Sequence, residues 1–133
     1  MDEVWPNLWV GNLNDAVLAG AGMNGPFFIL CVLEGKPSEE PPNATWIPIL
    51  DSTGQRAVLG QLDATAEIIH AALASGQRVL VHCGAGVERS PLTVAWYLHR
   101  KHGKTLDEAY ALLLSKRPIV QDRQAWLPPE AKT

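Results

Sequence analysis

Residues 79–98 read VLVHCGAGVERSPLTVAWYL, and their order sets the fold: an apolar strand, a cysteine, a glycine-bearing loop, then a helix. The run from Arg78 to Val81 suits a strand buried on both faces. Cys83 follows it, then the loop Gly84, Ala85, Gly86, Val87 and Glu88, then Arg89. Ser90-Pro91-Leu92-Thr93 opens a helix that runs to about His102 and stops at Gly103. Pro91 falls in the first turn, where a missing N–H is harmless.

Each part of that loop has a physical use. Gly84 and Gly86 let the backbone turn tightly, so that the N–H groups from Gly84 to Arg89 line a concave anion site, to which the helix adds its positive end. Phosphate suits such a nest. Arg89 supplies a planar fork for two phosphate oxygens, and the same field favours the thiolate of Cys83. A nucleophile and its electrostatic partner therefore arise from one loop. Taken alone, Cys83 could be a small core residue, Arg89 a surface arginine and Ser90 a helix N-cap.

Outward from this segment, strands alternate with helices. LWVG at 8–11 reads as a short strand, and NLNDAVLAG as a turn into a brief helix ending at Gly20 or Gly22. Phe27 to Leu33 (FFILCVL) form a further buried strand, GKPSEEPPN at 35–43 a polar surface loop, and TWIPIL at 45–50 another apolar segment. Val58, Leu62, Ala66, Ile69 and Leu73 mark one helix face that Gly76 closes. Thr105-Leu106-Asp107-Glu108 is a capping box for a helix ending before Pro118, and a last short helix covers 121–127.

This pattern predicts an α/β fold: one domain over residues 1–133, with a mostly parallel central sheet of four to five strands flanked by helices. In such sheets ligands bind beyond the carboxyl ends of the strands. Asp51, directly after Leu50, and the loop starting at His82 occupy those positions.

The chain has 47% hydrophobic residues, enough for a core without disulfides. Eleven Lys and Arg against fourteen Asp and Glu give a net charge of −3, which argues against nucleic acid or an anionic membrane surface as partner. No stretch approaches the roughly 18 apolar residues of a membrane span. The first residues, MDEVWPNLWVG, lack the basic start and apolar run of a secretory signal. Two cysteines, Cys31 and Cys83, lack the paired spacing of a zinc site and are expected to be reduced thiols. A cytoplasmic monomer is the expectation.

His82-Cys83, five residues, then Arg89-Ser90 resembles the signature of the cysteine-dependent protein tyrosine phosphatase superfamily, most nearly its compact dual-specificity branch. LWVGNLNDA resembles that family's opening strand, Asp51 stands where its general-acid loop lies, and RPIVQDRQAWL resembles its closing helix. The resemblance implies that Cys83 attacks phosphorus while Arg89 and the amides from Gly84 to Arg89 bind phosphate. It further implies that Ser90 stabilises the leaving thiolate, that His82 organises the loop from behind, and that Asp51 protonates the leaving oxygen. No metal and no cofactor are implied, and the substrate is a phosphorylated protein or peptide. Some members carry a cysteine at the position of Cys31, which implies a redox partner for the nucleophile; packing as a core thiol is the simpler account of a cysteine there.

Departures and alternatives bear on the reading. Glu88 puts a negative charge before Arg89, and the loop has no lysine or second arginine, which argues against polyphosphoinositides. Facing solvent it is bland; facing the pocket it opposes anions. Asp51 competes with Asp63, a helix-surface position, and with Asp122, a cap for the last helix; Asx-turn chemistry also explains Asp51. Other phosphate esters (lipid, sugar or RNA), a rhodanese-like sulfurtransferase and a non-catalytic phospho-ligand module remain open alternatives. The sulfurtransferase gives no reason for Asp51 or the Arg-Ser pair.

Overall fold

The computed structural model describes residues 1–132, with the side chain of Lys132 outside the described part. In chain order the elements are β1 (Asp2–Trp5), β2 (Leu8–Gly11), α1 (Leu13–Gly20), β3 (Phe28–Cys31), β4 (Thr45–Trp46), α2 (Leu59–Ala74), β5 (Val79–His82), α3 (Arg89–His102) and α4 (Leu106–Lys116). Two 3-10 turns follow, Gln124–Trp126 and Pro129–Lys132. The sheet order is β1-β2-β5-β3-β4, with β1 antiparallel to β2 and every other pairing parallel.

The five-stranded, mostly parallel sheet agrees with the expectation, but β1 is a strand that the pattern did not reveal. Only Val4 of its four residues is buried, so no apolar run marks it. The signal lay in the turn: Pro6 fixes its own φ, and Asn7 accepts a positive φ of 64°, so the chain doubles back to pair Asp2 with Val10. The strand in TWIPIL ends at Trp46, ahead of Pro48, whose nitrogen has no hydrogen to donate, and Leu50 only bridges Ala57. The final segment forms a single 3-10 turn where a short helix was expected.

Side-chain alternation sorts the strands between two cores. Leu8 and Val10, Leu30, and Val79 and Val81 face the larger core, which Leu62, Ile69, Leu92, Tyr97, Tyr110 and Leu113 fill from α2, α3 and α4. Ile29 and Leu80 face the other way, onto Ala16 and Ala19 of α1 and onto Phe27. Helices therefore cover both faces, three against one. α3 is the central helix, with Leu92 and Leu98 wholly buried, each contributing about 1.5–3 kcal/mol by leaving water. That burial anchors the helix whose first residue is Arg89.

Local chemistry sets the helix ends. Asn12 and Asp15 form a reciprocal capping box at α1, and the expected box of Thr105 and Glu108 is present at α4. Gly103 takes φ 66° after α3. Among the described residues no helix is long and apolar enough to cross a membrane.

Candidate active site

β5 delivers His82 to the carboxyl edge of the sheet, and the loop 83–88 then turns the chain into α3. Neighbouring elements hold every carbonyl of that loop. His82 Nδ1 lies 3.1 Å from the Cys83 carbonyl oxygen, and Leu13 N–H donates to that of Gly84 at 3.0 Å. Arg117 donates Nη2 to Ala85 at 3.3 Å and Nε to Gly86 at 2.8 Å. Gln121 N–H donates to Val87 at 2.9 Å, and Leu92 N–H to Glu88 at 3.2 Å within the first turn of α3. A carbonyl tied outward turns its peptide N–H the other way, so the loop is fixed as an anion-binding nest before any ligand arrives.

Inside the nest, Cys83 Sγ lies 3.4 Å from Ser90 Oγ and accepts from Gly86 N–H at 3.3 Å. Both partners come from the loop and the first turn of α3, so the segment that forms the nest also fixes the sulfur. Gly86 is required twice over: its φ is 71°, and a Cβ there would meet the Gly11 carbonyl oxygen at 2.6 Å. Arg89 donates Nε to Glu34 Oε1 at 2.8 Å, which leaves its terminal nitrogens as the fork for phosphate oxygens.

The structure thus brings together Cys83, Ser90, Arg89 and the loop from Gly84 to Glu88, with His82 behind them. Glu88 turns away from opposition to anions, because Arg123 holds its carboxylate at 2.6 Å. Asp51 is bound to its own loop: its Oδ1 accepts from Thr53 N–H at 3.0 Å and from Thr53 Oγ1 at 2.5 Å. That is the Asx turn weighed above, and the Thr53 hydroxyl holds the carboxyl below its usual range. Asp63 accepts from Trp96 Nε1, and Asp122 caps the 3-10 turn through Gln124 N–H.

Cys31 pairs in register with His82 across β3 and β5, and both cysteines are free thiols. Burial pushes the Cys31 thiol up to about 12, unlike a reactive cysteine. Glu40 is a correction to the sequence reading. It lies in the polar stretch expected on the surface, yet it is only 7% exposed and its Oε2 sits 2.7 Å from His82 Nε2. Glu34, Glu40, Arg117 and Arg123 were not singled out from sequence. Each has a partner at least 31 residues away that no local spacing announces.

A cysteine, an arginine and a serine set in a rigid anion nest define a phosphatase of the cysteine-dependent type. Residues 11–127 match the family model for the dual specificity phosphatase catalytic domain, and the chain belongs to that family. Mouse dual specificity phosphatase 28 is 30% identical over 127 residues, covering 90% of this chain and 74% of the mouse protein. Human dual specificity protein phosphatase 16 is 38% identical over 74 residues, covering 56% of this chain but only 11% of that protein. The crystal structure of human DUSP28 superposes with a TM-score of 0.77 at 26% identity, covering 95% of this chain and 90% of the other.

Proposed function

We propose that this protein hydrolyses phosphotyrosine, and phosphoserine or phosphothreonine in exposed segments, through a phosphocysteine on Cys83. The observation that carries the reading is the Cys83 sulfur held by Ser90 Oγ and Gly86 N–H at the floor of a nest with Arg89 at its rim. The family implies phosphoprotein substrates. The short chain favours a shallow site, open to more than one phosphorylated side chain.

In the first step Cys83 sulfur attacks phosphorus as the bond to the leaving oxygen breaks, and Asp51 gives that oxygen a proton. Arg89 and the loop amides stabilise charge on the three equatorial oxygens. In the second step water attacks phosphorus, its proton passes to the Asp51 carboxylate, and the S–P bond breaks to release phosphate and thiolate. Ser90 Oγ donates to the departing sulfur. Asp51 must exchange its bond to Thr53 for one to substrate, so binding has to rearrange the loop after Leu50. Under oxidation Cys31 is the candidate partner: its thiol would condense with a Cys83 sulfenic acid, releasing water. A Cys31→Ser variant that recovers from peroxide as well as the parent removes that role.

The test is phosphate release from p-nitrophenyl phosphate and from a tyrosine-phosphorylated peptide, with EDTA present. Turnover by the parent and none by Cys83→Ser is the expected result. Ligand binding without turnover by the parent would favour the non-catalytic module.

A further inference from the structure

Beneath the catalytic loop three metal-donor side chains converge. Alternation along β3 and β5 continues the face of Ile29 and Leu80, so Cys31 and His82 point away from the larger core, and Glu40 closes over them from the loop before β4. The donor atoms of Cys31, Glu40 and His82 all lie within 4.8 Å of one another, and all three residues are buried.

The geometry points to a binding site for a thiophilic divalent cation of the zinc class, with Cys31 Sγ, His82 Nε2 and the Glu40 carboxylate as ligands. Catalysis by Cys83 does not require it. Three observations carry it. Glu40 Oε1 is buried with no hydrogen-bond partner at bonding distance, the Cys31 thiol being the weak donor that interacts with this carboxylate, and a cation would satisfy it. His82 has the orientation of a metal-bound histidine, its other ring nitrogen resting on a backbone carbonyl, that of Cys83. Sulfur, nitrogen and oxygen donors together are a set that zinc accepts, at about 2.0–2.3 Å.

Binding forms metal–sulfur, metal–nitrogen and metal–oxygen bonds; the Cys31 thiol proton leaves to solvent, and the proton in the 2.7 Å contact between His82 Nε2 and Glu40 Oε2 moves to Nδ1 or to solvent.

Cobalt(II) titrated into the Cys83→Ser protein tests the site without its catalytic thiol and without reading turnover. The expected result is stoichiometric binding, with a sulfur-to-cobalt charge-transfer band and the intense visible bands of a tetrahedral ion, displaced by zinc. Adding Cys31→Ala abolishes the charge-transfer band, and adding Glu40→Gln, nearly isosteric, weakens binding by at least about tenfold. Circular dichroism confirms that each variant is folded. Absence of the band in Cys83→Ser, its survival in the Cys31→Ala background, or unchanged affinity in the Glu40→Gln background would overturn the assignment.

Discussion

Arg89 Nε donates to Glu34 Oε1 at 2.8 Å, joining the phosphate-gripping arginine to the segment just after β3. The contact uses the one guanidinium nitrogen that does not belong to the terminal fork, so it orients the fork without occupying it. Glu34→Ala is expected to lower kcat/KM on the order of tenfold to a hundredfold through a misplaced Arg89, mostly in KM. Glu34→Gln, which keeps a carbonyl oxygen to accept the bond, loses less. Steady-state kinetics with p-nitrophenyl phosphate decide it, and unchanged kinetics in Glu34→Ala would mean that α3 alone positions the fork.

Arg117 bridges three partners, the carbonyls of Ala85 and Gly86 and the Asp2 carboxylate, the last at 2.7 Å. Its side chain is only 8% exposed, so water cannot readily replace it. Arg117→Met keeps the stem but leaves both loop carbonyls unpaired, at a cost of about 2–3 kcal/mol for charged hydrogen bonds. Urea unfolding measures this directly. A change under about 0.5 kcal/mol would show that the loop holds its shape without the guanidinium.

The Glu88–Arg123 pair has unequal members. Glu88 adjoins the phosphate site and Arg123 cancels its charge, so losing the arginine exposes a carboxylate to the substrate's anion, whereas losing the glutamate leaves only an extra cation. Arg123→Ala should raise KM several-fold, Glu88→Ala should leave KM unchanged or lower it, and the double variant should recover most of the loss. The double-mutant cycle at low salt is the measurement. Equal KM in Arg123→Ala and in the double variant would assign the effect of Arg123 to something other than Glu88.

What the sequence disclosed and what it hid divide by distance along the chain. Cys83, Gly86, Arg89 and Ser90 meet within eight residues, and the capping box of Thr105 and Glu108 within four, so order and spacing carry their geometry. Glu40 meets His82 from 42 residues away and Glu34 meets Arg89 from 55, through parallel pairing that no local period encodes. The stretch from Gly35 to Asn43 reads as solvated because its composition is polar. Glu40 is buried nonetheless, because its partner His82 is an equally buried polar group at the end of β5. β1 failed to appear for a different reason: only Val4 of its four residues is buried, so it lacks the apolar run that marks β2.

Asp51 supplies the sharpest pH test. The Thr53 hydroxyl stabilises its ionised form, with the Thr53 backbone N–H adding to the effect, so the free enzyme holds this carboxyl below the ordinary aspartate range. The proposed role needs the protonated form. A depressed value moves the falling, high-pH side of the activity bell toward lower pH. Thr53→Ala removes the hydroxyl and keeps the backbone bond, so that limb in kcat/KM should shift upward, while the rising limb, set by thiolate and substrate ionisation, stays in place. Asp51→Asn should abolish the falling limb and lower kcat by about 10²–10⁴-fold on a substrate with a poor leaving group, with much less effect on p-nitrophenyl phosphate. A falling limb that persists in Asp51→Asn would transfer the proton donor to another carboxylate, whereas one that ignores Thr53→Ala but vanishes in Asp51→Asn would mean that Asp51 leaves Thr53 before the transition state.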